Sequence, residues 1–350
     1  MTLQKHLLSR ISAFGPMTIA DYMSECLLHP TYGYYTTRDP LGTSGDFTTA
    51  PEISQMFGEL IGLCLAQSWL DQGAPSPFAL IELGPGRGTL MHDILRATTK
   101  VPGFSAAVQI HLIEASPVLQ DIQREKLGQV HWHNTLQTLP AMPGFFIANE
   151  FFDALPIRQF VRSGEGWCER CVTAVDSVLQ YALSPATPYD ILTHRLDDTK
   201  NDDLVEICPQ GADIASQIGH YINTHGGAAL IVDYGEWRSL GDTFQALQNH
   251  QAVNPLTKPG HADLSAHVDF EALAKATPSA HTRLTPQGIF LERLGITQRA
   301  QVLANALQGS DLENHVTAHQ RLTHPEEMGT LFKVLGFHPI SEKPLAGLTI

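Results

Sequence analysis

The sequence predicts an α/β fold, a mostly parallel sheet covered by helices on both faces. Short apolar runs alternate with helical stripes from residue 78 onward. Each run ends in a polar residue: Glu82, Glu114, Asn134, Asn149 with Glu150, and Asp233. The first also opens into a glycine-punctuated turn, Gly84-Pro85-Gly86-Arg87-Gly88-Thr89. Continuous apolar strands between helices belong to sheets buried on both faces. Ligands of such sheets sit beyond the carboxyl ends of the strands.

Taken in order, residues 3–14 and 18–28 read as two short helices broken by Gly15-Pro16. An aromatic turn (29–35) and a glycine-rich loop (42–49) follow. Pro51 and Glu52 suit the first turn of a helix over 51–71, where Ile53, Met56, Phe57, Leu60, Ile61, Cys64 and Leu65 recur at helical spacing. Strands are expected at 78–81, 108–113, 130–132, 144–148 and 227–232. Helices over 89–97 and 118–127 separate the first three. The segments 157–162, 167–175 and 178–183 alternate like antiparallel hairpins. Residues 185–203 read as loop and 210–223 as helix. Beyond Asp233 comes a loop with Pro255, Pro259 and Gly260, then helices over 269–276, 297–308, 311–321 and 325–335. The expected division is an N-terminal helical and lid segment (1–75), a core (76–156 and 224–350) with C-terminal helices, and a β-rich, partly helical insertion (157–223).

Bulk properties narrow the function. The 350 residues can bury a sizeable core. A net charge of −14, from 22 basic and 36 acidic residues, argues against a broad phosphate-tracking surface and so against nucleic acid. Five cysteines are scattered, and Cys168-Glu-Arg-Cys171 has no second pair at zinc spacing. It reads as part of a half-buried hairpin in a protein of a reducing compartment. No apolar run has bilayer length, and the N-terminus lacks a signal core, so the cytoplasm is the expected location.

Two cofactors compete for the glycine turn. A dinucleotide fingerprint wants its third glycine one position later, where Thr89 stands, and an acid about 20 residues on. Glu114 lies 26 positions beyond Gly88. Glu82-x-Gly84-x-Gly86-x-Gly88 instead resembles motif I of class I S-adenosylmethionine-dependent methyltransferases, in which the acid ending the second strand takes the ribose hydroxyls. Four further blocks sharpen this: Gly45-Asp-Phe-Thr-Thr-Ala-Pro-Glu, Asn149-Glu-Phe-Phe-Asp-Ala-Leu-Pro, Asp263-Leu-Ser-Ala-His-Val-Asp-Phe and Gln287-Gly-Ile-Phe-Leu-Glu-Arg-Leu-Gly. In this order they resemble the MidA family, that of NADH:ubiquinone oxidoreductase complex assembly factor 7, over roughly residues 5–340.

The resemblance implies a Rossmann-like class I methyltransferase sheet and S-adenosyl-L-methionine as cofactor. It implies transfer to a protein arginine, with a respiratory complex I subunit as one possible acceptor, and the mitochondrial matrix as location if the source is eukaryotic. Glu82, Gly84, Pro85, Gly86 and Gly88 would form the cofactor turn. Glu114 would take the ribose, with Ser116 and Asn134 toward the adenine. Asn134 departs from the Asp common there. Asp46 and Phe47 would fold over the cofactor mouth.

A guanidinium stays charged and needs carboxylates to orient it. Glu150 and Asp153, three apart and on one face if their segment is helical, are the candidates, with Asn149 beside them. Asp263 and His267 are candidates for the substrate pocket. His261, Asp263, His267 and Asp269 match no standard metal spacing, so no metal is expected. Asp269 is read as capping a helix at Phe270. Two alternatives stay open: a cofactor-binding assembly factor without catalysis, and a nicotinamide-dependent oxidoreductase.

Overall fold

Every side chain of β1 (Phe78–Leu83) is buried, the burial that a continuous apolar run foretells. The neighbouring strands follow in chain order: β2 (Val108–Ile113), β3 (His131–His133), β4 (Gly144–Asn149), β5 (Gly227–Glu236) and β6 (Phe332–His338). Their spatial order is β6-β5-β4-β1-β2-β3, parallel except for β6. The computed structural model describes residues 2–37 and 49–350. They fall into two units, and the sheet belongs to the one made of Thr48–Phe152, Ala212–Gly235 and Leu273–Ile350.

Register sets what the sheet presents. Leu83 pairs with Ile113 and Ala148, Ile113 with His133, and Asn149 with Val232. Gly84, Glu114 and Asn134 therefore emerge level with Asn149 along the carboxyl edge, and Glu150 and Asp233 follow one residue further out.

The helices α1 (Gln55–Asp71), α2 (Thr89–Thr98) and α3 (Pro117–Leu127) cover this sheet. The rings of Trp69, Phe78 and Phe104 pack together at centroid distances of 4.9–5.5 Å, Phe104 edge to face with the other two, within a core that includes Phe57, Leu60, Ile61, Leu80, Phe145 and Ile147. Burying each such side chain stabilises the fold by roughly 1.5–3 kcal/mol. Gly62 lets α1 approach α2 closely, since a Cβ there would lie 2.9 Å from Ile94 Cα. The expected helix over 51–71 is split. Ser54 is extended, and its hydroxyl accepts the Met56 N–H at 3.2 Å to start α1, leaving Ala50–Ile53 as a separate turn.

Two further expectations are corrected. Residues 325–335 are not one helix: a single turn, Met328–Leu331, leads into β6. All of β6 is buried, so the alternation that marks a strand is erased. The loop expected after Asp233 contains a three-stranded antiparallel sheet of Gln245–Gln248, Gln251–Val253 and Asp263–Ser265.

That small sheet belongs to the second unit, which gathers Met1–Phe47, Asp153–Gly211 and Glu236–Ala272. Here the expected hairpins form: Arg158–Ser163, Gly166–Val175 and Val178–Leu183 pair antiparallel, joined by Leu204–Ile207 and Met17–Thr18. Leu7, Ile11, Tyr22, Met23, Val172 and Leu264 share one core. The units thus cut the chain elsewhere than the sequence suggests. The N-terminal helices Leu3–Phe14 and Ile19–Leu28 pack with the insertion, while α1 packs with the parallel sheet.

Candidate active site

The glycine turn follows β1 directly. Gly84, Gly86 and Gly88 all have positive φ, at 63°, 51° and 73°. Gly84 also faces a close neighbour, because a Cβ there would meet the Phe151 ring at 2.9 Å. The Gly88 N–H donates to the Pro85 carbonyl at 2.8 Å, closing the turn on which α2 begins. Thr89, where a dinucleotide fingerprint has glycine, donates its hydroxyl to Glu52 at 2.6 Å and accepts from Lys126 at 2.7 Å. That hydroxyl has structural partners which a glycine would lack.

Two carboxyl groups flank the turn. Glu82 is 3% exposed, and its Oε2 has no partner among the described residues. Burial pushes its carboxyl well above the usual carboxylate range, and the nearby Glu114 charge adds to this against relief from the Met91 amide. Glu114, just past β2, accepts the Ser116 N–H at 2.7 Å and the Gln123 amide at 3.2 Å. Burial raises it too. Ser116 is buried, with its hydroxyl turned to the Leu119 N–H at 3.5 Å as the cap of α3. Asn134 is exposed just past β3. Asp46 and Phe47 lie outside the described residues.

On the other side of Gly84, the chain leaves β4 in a turn. Glu150 takes the left-handed backbone at φ 50°, a conformation that costs a side-chain-bearing residue about 1 kcal/mol or more. It is held there from several directions. The Glu150 N–H donates to the Val232 carbonyl at 2.9 Å, and its Oε1 accepts from the Ala50 N–H and the Asn149 amide, both at 3.1 Å. Asp233, fully buried, accepts the Phe151 and Phe152 N–H groups at 3.2 and 3.0 Å and the Tyr234 N–H at 2.9 Å. Asn149 is buried, with Oδ1 unpartnered among the described residues. Because this segment is a turn, Glu150 and Asp153 do not share a helix face, and the expectation built on helical spacing is corrected.

The remaining candidates sit in the second unit. Asp153 and Asp263 are both buried. The Tyr35 hydroxyl donates to Asp263 Oδ1 at 2.6 Å. Burial, with the charges of Asp263 and Asp153, raises the Tyr35 phenol well above its ordinary value. His267 is half-buried, and its backbone N–H donates to the Thr243 hydroxyl at 2.8 Å. Asp269 caps its helix as expected, accepting the Ala272 N–H at 3.0 Å.

His6, Glu25 and His29 bring three ligand-type atoms within 4.8 Å of one another. His29 Nδ1 accepts the Thr31 and Tyr32 N–H groups at 3.0 and 3.3 Å. That fixes the imidazole proton on Nε2 and works against a metal there.

Sequence reasoning passed over Gln123, Asp233 and Tyr35. Gln123 carried a signal, a polar residue on the buried stripe of α3. Asp233 was visible as a strand end without a role. Tyr35 had no signal, because its partner lies 228 residues away.

The arrangement suits S-adenosyl-L-methionine. A buried carboxylate oxygen without a partner among the described residues can take an ammonium, the positive end of α2 suits a carboxylate, and Glu114 stands at the end of the neighbouring strand. The comparisons with known proteins agree. A family described as "Putative S-adenosyl-L-methionine-dependent methyltransferase" matches residues 60–289. Protein arginine methyltransferase NDUFAF7, mitochondrial, is 37% identical in Xenopus laevis, covering 97% of this chain and 85% of that protein. Its Homo sapiens counterpart is 36% identical over 96% and 83%. A crystal structure of a COG1565 superfamily member from Burkholderia thailandensis bound to S-adenosyl-homocysteine superposes with a TM-score of 0.82. It is 26% identical and covers 99% of this chain and 94% of that one.

Proposed function

We propose that this chain, which belongs to the S-adenosyl-L-methionine-dependent methyltransferase family that includes NDUFAF7, transfers its methyl group to an arginine side chain of a protein. Methyl transfer from S-adenosyl-L-methionine is its activity, so neither a nicotinamide oxidoreductase nor a non-catalytic assembly factor describes it. The acceptor is the step beyond. The observation that carries it is Glu150, a carboxylate held in a strained turn just past β4, on the carboxyl edge of the sheet from which Gly84 also emerges.

When bound, the cofactor supplies a methyl group on a sulfonium; transfer forms an N–C bond, breaks the S–C bond and releases S-adenosyl-homocysteine and one proton. Glu82 would take the ammonium of the cofactor, the Gly84–Gly88 turn its methionine part, and Glu114 the ribose hydroxyls, with Ser116 and Asn134 on the adenine side. Glu150, steadied by Asn149 and the Ala50 N–H, would accept two N–H groups of the guanidinium and aim a third nitrogen at the methyl group. Asp153, Asp263 and His267 stay the further candidates for the acceptor that the sequence suggests, and all three belong to the second unit. Alignment of this kind lowers the barrier by roughly 7–11 kcal/mol, with no nucleophile on the enzyme.

The acceptor is a protein, and a respiratory complex I subunit is the class that the sequence resemblance suggests. The described residues contain no helix long and apolar enough to cross a membrane. We place the activity in the cytoplasm, or in the mitochondrial matrix of a eukaryotic source; the named relatives are described as mitochondrial.

The test uses Glu150→Gln and Asp153→Asn with methyl-labelled cofactor and matched cell extract. Each variant should bind S-adenosyl-homocysteine within about threefold of wild type while label transfer falls by roughly 100-fold or more. Label should appear in methylarginine after hydrolysis. Full transfer by both variants, or label confined to another residue type, would overturn the reading.

A further inference from the structure

Leu119, Gln123 and Leu127 lie four residues apart along α3, a spacing that puts them on one face. Gln123 is fully buried. The Trp132 indole N–H meets Gln123 Oε1 at 2.8 Å. An indole can only donate, so it decides which way the amide points. The NH2 end therefore faces the other way, donating to the Gly86 carbonyl at 2.7 Å and to Glu114 Oε2 at 3.2 Å. One side chain ties the glycine turn after β1 to the acid after β2.

We propose that Gln123 is the positioning residue for the cofactor, fixing the Gly86 turn and the Glu114 carboxylate at one preset spacing so that the methionine and ribose parts meet partners already in place. The proposal rests on the assignment of Gly86 and Glu114 to the cofactor. With the Ser116 N–H on Oε1 and the Gln123 amide on Oε2, and a further hydrogen bond from the Ala115 N–H, the Glu114 carboxylate has its plane set by donors from its own loop and from α3. Preorganised partners of this kind raise affinity by removing ordering costs at the moment of binding.

A glutamate at this position would turn acceptors toward the Gly86 carbonyl and Glu114, and only its protonated form could donate as the amide does. Among the described residues Glu114 is the titratable group that hydrogen-bonds to Gln123, and the Arg124 guanidinium lies over the Trp132 ring at 4.7 Å. Calorimetry with S-adenosyl-homocysteine separates positioning from mere packing. Gln123→Met should weaken binding about tenfold at every pH from 5 to 8. Gln123→Glu should weaken it more than tenfold at pH 8 and recover toward wild type at pH 5. Trp132→Phe, which frees the amide to flip, should cost about threefold.

Two folded variants at position 123 that bind within twofold of wild type at pH 8 would overturn the proposal. So would a Gln123→Glu defect with no pH dependence. Should both variants at 123 fail to fold, Trp132→Phe decides, and unchanged affinity there counts against it. Glu114→Gln is the control on the premise. If it binds as wild type does, the assignment of Glu114 to the cofactor fails; if it binds weakly while the Gln123 variants bind normally, only the present proposal fails.

Discussion

Glu59 and Glu82 are both buried acids of the parallel-sheet unit, 4% and 3% exposed, yet they are treated in opposite ways. Glu59, on α1, accepts from Arg299 at 2.7 and 3.0 Å and from Arg96 at 2.8 Å. Burial works to raise its carboxyl, but the hydrogen bonds and charges of Arg299 and Arg96 bring it below the ordinary value. Among the described residues Glu82 has no arginine partner and one unpartnered oxygen, and burial pushes its carboxyl up. The contrast separates two uses of a buried charge. A carboxylate given its cations by the chain is architecture. One left without them is, under the proposed function, the group that a ligand's cation would complete.

The sharpest way to break that contrast is to neutralise each acid. Glu82→Gln should weaken S-adenosyl-homocysteine binding by roughly 10–100-fold, the worth of a buried charge-assisted hydrogen bond. Its unfolding free energy should stay within about 1 kcal/mol of wild type, since no native ion pair is lost. Glu59→Gln should do the reverse. It should lose roughly 1–2 kcal/mol in denaturant unfolding, a figure lowered because Arg96 and Arg299 are part-exposed, and keep cofactor affinity within about twofold.

A subtler effect follows from protons. In the free protein Glu82 favours its protonated form, whereas a bound ammonium favours the carboxylate. Binding should therefore release a proton, and affinity should climb as pH rises through the raised value. Calorimetry in two buffers of different ionisation enthalpy measures the release, which Glu82→Gln should abolish.

The smallest effect is on the same sheet. Burial, then the charges of His133 and His131, lower His111 to about 4 from an ordinary 6.5. Its folded value lies below its unfolded one, so it contributes stability above about 6.5 that is lost as pH falls toward 4. His111→Gln should flatten the fall in Tm between pH 7 and pH 4.5 by a few degrees.

Much of the cofactor half was legible because a short apolar run ending in an acid is a local signal. Glu82, Glu114 and the Gly84–Gly88 turn all stand where the strands of the sequence reading put them. The strand pairing then lines them up without further information. Less was legible where partners are distant. Asp233 fixes the Phe151–Phe152 turn from 81 residues away, and Tyr35 finds Asp263 across 228. The turn at Glu150 hid for a different reason: a positive φ in a glutamate has no sequence marker, so helical spacing was the natural guess. β6 hid because full burial removes alternation. In each case the missing information was tertiary.

The most direct measurement is a crystal structure with S-adenosyl-homocysteine bound. Its ammonium should lie on Glu82 Oε2, its ribose hydroxyls on Glu114, and its sulfur should point toward the turn that carries Asn149 and Glu150. A complex in which Glu82 Oε2 keeps no ligand partner, or in which the sulfur faces away from Glu150, would contradict that placement.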